Sequence, residues 1–237
     1  MLPTITVAYI VRGKPESIRE SYKSTSLIAD EYIYVVDNST DKEVLDTISE
    51  LECGDDRIKI VVKKYENELA QKQYLLKQCT KEYILLLDGD EVLSDNAILL
   101  RQAPQSFPEA EAFSLPMHFH TLALSYEVDN QSSSNSIRFI KNKQEIMFQM
   151  GDRLVLTGYV EPVVQISDVS IHNYTFTSVL NKVLQIYLDT MQSTPGSFEA
   201  IKSWYKNFLT GNVLVKGFNM EDHPQSVKDK FRFGEVR

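Results

Sequence analysis

Apolar and polar segments alternate regularly over residues 1–100. TITVAYIV (4–11) is β-branched and apolar throughout, which predicts a strand buried on both faces. Pro15 suits a first helical turn, and Ile18 with Tyr22 one turn later predicts a short helix to about Ser26. YIYVVDNST predicts a second buried strand ending at Asp37 in a polar turn, and RIKIVVKK a third. Asn67 is placed to cap a helix carrying Leu69, Leu75, Leu76 and Cys79, and EYILLLD follows as a fourth strand. Ser94 is placed to cap a further helix that must stop by Pro104.

Strands too apolar for a wet face, alternating with helices, predict an α/β fold with a mostly parallel twisted sheet and helices on both faces. Ligands of such sheets gather beyond the carboxyl ends of the strands. Asp37 and Asp88 both stand at predicted strand ends, so two acidic turns are expected on one rim.

The second half reads differently. AFSLPMHFHTLALSYEV and SIRFIKN alternate as strands do, with DNQSSSNS between them as a mobile loop, and LVLTGYVEPVVQISDVSIHNY predicts more strands. Leu180, Val183, Leu184, Tyr187, Leu188 and Met191 share one face of an amphipathic helix, and Phe198, Ile201, Tyr205 and Phe208 one face of another. SWYKNFLTGNVLVKGFNM is expected to pack on the core, with a membrane surface or a partner as the other occupant. No shift in composition marks a linker, so one domain over 1–175 with C-terminal helices over 176–237 is expected.

The chain has 237 residues, 43% hydrophobic and 24% charged, the make-up of a globular protein. A net charge of −8 argues against a broad nucleic-acid surface. Cys53 and Cys79 fit neither a disulfide framework nor a paired-cysteine metal site. No basic segment leads into a long apolar core at Met1–Tyr9, so a reducing, cytoplasmic setting is expected. The N-x-[ST] patterns at Asn38, Asn130 and Asn173 then read as chance.

YILLLDGDEVLS (83–94) runs five apolar residues into Asp88-Gly89-Asp90-Glu91. Crowded carboxylates repel, so something must compensate them. Asp-x-Asp at the end of a buried strand can place oxygens on one hard divalent cation, and Mg²⁺ or Mn²⁺ is typically held by one or two carboxylates plus substrate phosphates. Gly89 lets the backbone approach a ligand closely. The other reading is a solvated acidic turn opening a helix, since Asp and Glu favour helix N-termini.

ITVAYIVRGKPESIRESYKS, ADEYIYVVDNSTD, ELAQKQYLLKQCTKEYILLLDGDEVLS, SIRFIKN and GYVEPVVQISDVSIHNYTFTSVLNKVLQIY follow one another in an order and spacing that resembles the family-2 glycosyltransferases of GT-A fold. The group most similar is that of small lipopolysaccharide-core glucosyltransferase-like proteins. The resemblance implies a nucleotide-binding half at 1–103 and an acceptor half at 104–175. Ala8, Tyr9, Val11 and Arg12 would border the base and ribose, and Asp37 would accept hydrogen bonds from them. Lys72 would face the diphosphate, while Gln73 stands where the family usually has Asn. Asp88 and Asp90 would hold Mn²⁺ or Mg²⁺, with Asp90 the direct ligand and Glu91 in support. His172 matches a late histidine that approaches the metal or diphosphate, and Arg138 would hold phosphate or acceptor. Glu161 falls at the family's acceptor carboxylate, with Val160 in place of its histidine partner.

The activity implied is metal-dependent, inverting transfer of a sugar, from a UDP-sugar first among nucleotide donors. The acceptor would be a carbohydrate, glycolipid or protein hydroxyl, reached in the cytoplasm or at the inner face of a membrane. Glu161 is the candidate general base and Asp152 the second. Three alternatives stand beside it: a GT-A domain that binds a nucleotide or partner without transfer, a DxD phosphohydrolase, and a sugar nucleotidyltransferase. The phosphohydrolase needs a downstream lysine and second acidic pair that have no clear place here. VRGKPES has too few glycines for the nucleotidyltransferase's phosphate loop.

Overall fold

A computed structural model describes residues 2–11, 15–121, 126–128, 136–150, 154–176, 215–217 and 224–225. The chain opens with β1 (Ile5–Ile10), α1 (Pro15–Thr25), β2 (Glu31–Asp37), α2 (Lys42–Gly54), β3 (Ile58–Lys63), α3 (Glu68–Gln78) and β4 (Tyr83–Asp88). After a two-residue turn come β5 (Glu91–Leu93), a 3₁₀ turn (Ala97–Arg101) and the one-turn α4 (Ala103–Ser106). The rest is β6 (Ala112–Leu115), β7 (Met117–Thr121), β8 (Tyr126–Val128), β9 (Ser136–Lys141), β10 (Met147–Met150), β11 (Leu154–Thr157), β12 (Val163–Gln165), β13 (Ile171–Phe176) and β14 (Val215–Gly217).

Seven strands form the main sheet in the order β12-β6-β9-β4-β1-β2-β3. Only β9 runs antiparallel to its neighbours; β1, β2, β3 and β4 are mutually parallel, as their apolar runs predict. A smaller sheet follows the order β14-β8-β7-β13-β5, and β10 pairs with β11 as a separate hairpin. Two of the passages from the main sheet to the smaller one are very short: Gly89-Asp90, between β4 and β5, and Pro116, between β6 and β7.

Alternation along the strands divides the core. Val7, Tyr9 and Val11 join Tyr32, Tyr34, Leu85 and Leu87 on one face, under Ile18 of α1 and Val44 and Ile48 of α2. Ala8 and Ile10 join Ile33, Val35, Ile84 and Leu86 on the other, under Leu75 and Leu76 of α3 and Leu156 of β11. Burying each such aliphatic side chain contributes about 1.5–3 kcal/mol. Asn67 caps α3 as expected, its side chain accepting the Ala70 N–H at 2.9 Å. Gly158, at φ 90°, is a position where a Cβ would meet the Glu145 carbonyl oxygen at 1.9 Å, so the end of β11 requires glycine.

One expectation is corrected. Ser94 does not cap a long helix: its N–H donates to the Ser170 carbonyl at 2.9 Å and its hydroxyl accepts the Ser170 N–H at 3.0 Å. The short 3₁₀ turn that forms instead, Ala97–Arg101, does stop before Pro104, which sits in the first turn of α4, where its missing N–H costs nothing. The helix α2 was not anticipated. Most of the expected C-terminal helical segment lies outside the described residues; within it β14 pairs with β8, and the Gln225 N–H donates to Asp95 at 2.9 Å. Among the described residues no helix is long and apolar enough to cross a membrane.

Candidate functional site

The ends of three parallel strands frame the site. β1 lies between β2 and β4, and Ile10 is level with Asp88, so Asp37 and Asp88 share the carboxyl rim. A pocket of about 480 Å³ opens on the α3 face of this rim. Ala8 and Ile10 form its floor, Lys72 and Leu75 one wall, Phe148, Val155 and Leu156 of the hairpin another, and Asp88, Glu91, Arg138 and Asn173 its charged end.

Asp88 ends β4, buried Gly89 makes the turn with Asp90, and Glu91 starts β5, so no helix opens at this turn. Glu91 is 1% exposed. One of its oxygens accepts the Asp88 N–H at 2.8 Å; the other accepts Arg138 Nη2 at 2.7 Å, with Asn173 Nδ2 at 3.5 Å. Burial pushes the Glu91 carboxyl up and the Arg138 guanidinium opposes that, while Asp88 and Asp90 add repulsion. Arg138 is held above its ordinary value by Glu91, Asp88 and Asp90 against its own burial. Lys72 pairs with Glu68 at 2.9 Å and lies 5.4 Å from the Phe148 ring centroid, so its charge also reaches the pocket wall.

Of the expected site residues, Ala8, Lys72, Asp88 and Arg138 line this pocket, Gly89 and Asp90 form the turn that follows Asp88, and others lie elsewhere. Tyr9 and Val11 point away from the pocket into the opposite core: Tyr9 is 1% exposed, stacks on Tyr34 at 4.7 Å and bonds to Thr25 and Ser21. Period-two alternation makes Ile10, not these two, Ala8's companion on the pocket floor. Asp37 stands on the rim outside the pocket wall. Its carboxylate accepts the Ser39 N–H at 2.9 Å, the Ser39 hydroxyl at 2.6 Å and the Tyr65 N–H at 3.1 Å, and these bonds, Ser39's first, hold it below its ordinary range.

Glu161 is a further correction. Val163 is level with Ala112, Ile140 and Ile84 across the sheet. Glu161 therefore lies on the rim where β4 begins, and the four steps along the strand from Ile84 to Asp88 alone span roughly 13 Å. It closes its own turn by accepting the Val163 N–H at 2.9 Å. His172 faces away from Asn173 and the pocket; its Nδ1 meets His120 Nε2 at 3.0 Å and its Nε2 meets the Ser170 hydroxyl at 3.1 Å. Those two bonds occupy both ring nitrogens, which does not suit a ligand for the Asp88–Asp90 turn. Arg12 and Asp152 lie outside the described residues.

Ile10 and Asn173 are among the pocket residues that the sequence does not single out as site residues. The signal for Asn173 was its position two residues beyond core Ile171 on one strand face; its 7% exposure and its contact with Glu91 exclude glycosylation there. No group of three or more potential ligands forms a metal cage among the described residues. Asp88 and Asp90 supply hard oxygen donors from one turn, which fits a cation that takes its other ligands from substrate phosphate and water.

The family model for Glycosyl transferase family 2 matches residues 5–151, a span that contains Asp37, Lys72, Asp88, Asp90, Glu91 and Arg138. The chain belongs to that family. Glycosyltransferases also stand among the similar solved structures. S. aureus TarS 1-349 is 15% identical at a TM-score of 0.50, over 73% of this chain and 60% of that one. The mannosyltransferase PcManGT from Pyrobaculum calidifontis, in complex with GDP-Man and Mn²⁺, is 14% identical at 0.42, over 48% of this chain and 36% of that one. TarS 1-349 in complex with UDP-GlcNAc is 20% identical at 0.40, over 49% and 35%. The chain thus spans 60% of the TarS fragment's length, and the likeness is one of fold, GT-A-like. A search of curated proteins finds no match.

Proposed function

We propose that this family-2 domain transfers a sugar from a nucleoside-diphosphate donor, a UDP-sugar first among the candidates, to an acceptor hydroxyl, with Mn²⁺ or Mg²⁺ and with inversion. The observation that carries the reading is the charged end of the pocket. There Asp88 ends a buried parallel strand, Asp90 follows in the turn and Arg138 stands beside them, while Lys72 lines the adjoining wall. Two carboxylates suit a divalent cation, and two cations suit the phosphates that cation would share. Bound there, the cation neutralises charge developing on the diphosphate leaving group.

The chain's own residues orient and shield. Ala8 and Ile10 offer a flat apolar floor, Phe148 and Leu156 exclude water from above, and Lys72 and Arg138 hold the phosphate oxygens in place. Asp37, on the same rim, is offered to the nucleoside. With Glu161 on the opposite rim, Asp152 is the candidate base, joined through the chain to the pocket-lining strands β10 and β11. One observation favours a second reading, nucleotide binding without transfer: Glu161 stands on the rim opposite Asp88.

The test is a thermal-shift screen of nucleoside diphosphates and nucleotide sugars with and without Mn²⁺. A ligand at a hundred times its Kd stabilises by about 2.7 kcal/mol. Metal-dependent stabilisation that disappears in Asp90→Ala, with sugar transfer to an acceptor panel, supports the transferase. Stabilisation without transfer supports the binder, and no stabilisation by any nucleotide sinks both.

A further inference from the structure

Glu91 is a charged residue in a three-residue strand whose other members, Val92 and Leu93, are core residues at 1% and 0% exposure. Taking a carboxylate out of water costs several kcal/mol unless it is paired and hydrogen-bonded. Its two oxygens are committed in different directions. One holds the Asp88 N–H at the end of β4, and the other holds Arg138 on β9. The β5 backbone is held too: Ser21 of α1 donates to the Glu91 carbonyl, and the Tyr174 N–H donates to the Asp90 carbonyl at 3.2 Å. One buried carboxylate therefore joins the turn that carries Asp88 and Asp90 to the guanidinium nearest it.

Arg138 is only partly used by this contact. Its Nη2 serves Glu91 and lies 3.7 Å from Met117 Sδ, while Nε and Nη1 make no hydrogen bond among the described residues. The side chain is 17% exposed and lines the pocket. A guanidinium carries five N–H donors in a rigid fork that suits oxyanions. With Nη2 held between Glu91 and Met117, that end of the fork is anchored.

Resting on the proposed function, we infer that Glu91 is a positioning residue that makes the metal turn and the diphosphate-binding arginine a single unit. It acts through the Asp88 N–H and Arg138, which its two oxygens hold. It fixes the Asp88 backbone, and with it the direction of the two aspartate side chains, and it fixes the plane of Arg138. The two charges that receive the donor are thus aligned by one group, and disturbing that group moves both.

The signature is that one isosteric substitution weakens two separately measured equilibria. Mn²⁺ alone is titrated by the loss of its free-ion paramagnetic resonance signal, and UDP, GDP, ADP and CDP are titrated calorimetrically without metal. Asp90→Ala is expected to weaken Mn²⁺ and leave the metal-free nucleotide constant nearly unchanged. Arg138→Met is expected to do the reverse to the nucleotide, with a smaller effect on Mn²⁺. Glu91→Gln is expected to raise the Mn²⁺ Kd by about 10- to 100-fold, the usual cost of losing a group that orients metal ligands. It should also raise the nucleotide Kd about 10-fold, and adding it to Arg138→Met should worsen the nucleotide constant no further. If Glu91→Gln does not fold, Arg138→Lys carries the test, since it keeps the charge but not the fork; a rise of about 10-fold in Mn²⁺ Kd is expected. Wild-type constants in a Glu91→Gln protein of lowered Tm would make the pair a packing feature and overturn the inference. Wild-type protein that binds neither Mn²⁺ nor any nucleotide overturns the function itself, and the two failures are told apart by that first measurement.

Discussion

The two faces of the strand β1 carry opposite chemistry on one backbone. Tyr9 points into a sealed layer with Tyr32 and Tyr34, where rings stack at 4.7 and 6.5 Å. Ala8 and Ile10, its immediate neighbours, floor a pocket of about 480 Å³ lined by Lys72, Arg138 and Asp88. The sealed face spends its residues on aromatic area, and burial raises the Tyr9 hydroxyl to about 12, so it stays protonated. The open face keeps its floor small, which leaves room for a ligand. The difference teaches that stability and function are separated here by side-chain parity, not by distance along the chain.

The largest expected effect lies on the sealed face. Tyr9→Ala removes a fully buried ring and should cost about 3–5 kcal/mol. At about 2–4 °C per kcal/mol for a chain of this size, Tm should fall by roughly 10 °C. Nucleotide affinity, measured well below that Tm, should stay near wild type. A selective loss of nucleotide binding with unchanged Tm would break the division between the faces.

The open face should answer in the reverse sense. Asp90→Ala removes a half-buried carboxylate in the turn next to the pocket's charged end and is expected to lower the proposed Mn²⁺-dependent sugar transfer by about 10²- to 10³-fold. Its Tm should change little in the absence of metal, since relieving repulsion near Asp88 and Glu91 offsets lost contacts. Comparing Tm and turnover for the Tyr9 and Asp90 variants gives a two-by-two test of the separation.

The sealed face and the rim were legible because they rest on local rules. An apolar run such as EYILLLD has few fates, and Asp88 at its end follows from where the run stops. The parity of Tyr9 and Val11 was legible in principle, but the resemblance groups them with Ala8 and Arg12, where the strand brings Ala8 and Ile10 to the pocket. Glu161 and His172 were misplaced for another reason. Their positions depend on pairings of β12 with β6 and of β13 with β5 and β7, long-range registers that no local pattern encodes. Glu91 and Arg138 lie 47 residues apart, and their pairing becomes visible only once β9 is laid against β4.

A smaller effect sharpens the same contrast at the far rim. Arg57, just before β3, clasps Asp55 through Nε at 2.9 Å and Nη2 at 2.7 Å, and Tyr22 donates its hydroxyl to the same carboxylate at 2.8 Å. The guanidinium also reaches the Ala29 carbonyl at 2.8 Å and covers the Tyr32 ring, so the clasp closes the tyrosine layer. These bonds, Arg57's first, hold the Asp55 carboxyl well below the usual carboxylate range. A depressed folded value means the unfolded chain binds the proton more readily. The stabilisation is then complete above the unfolded value near about 3.9 and is lost as pH falls through the folded one. Asp55→Asn should therefore cost about 2 kcal/mol at pH 7, measured by urea unfolding, with nucleotide binding unchanged. The gap between variant and wild type should narrow steadily below about pH 4. A gap that held constant into strong acid would mean that the clasp works by shape alone. The sealed face would then owe nothing to charge, and the contrast with the pocket would be sharper still.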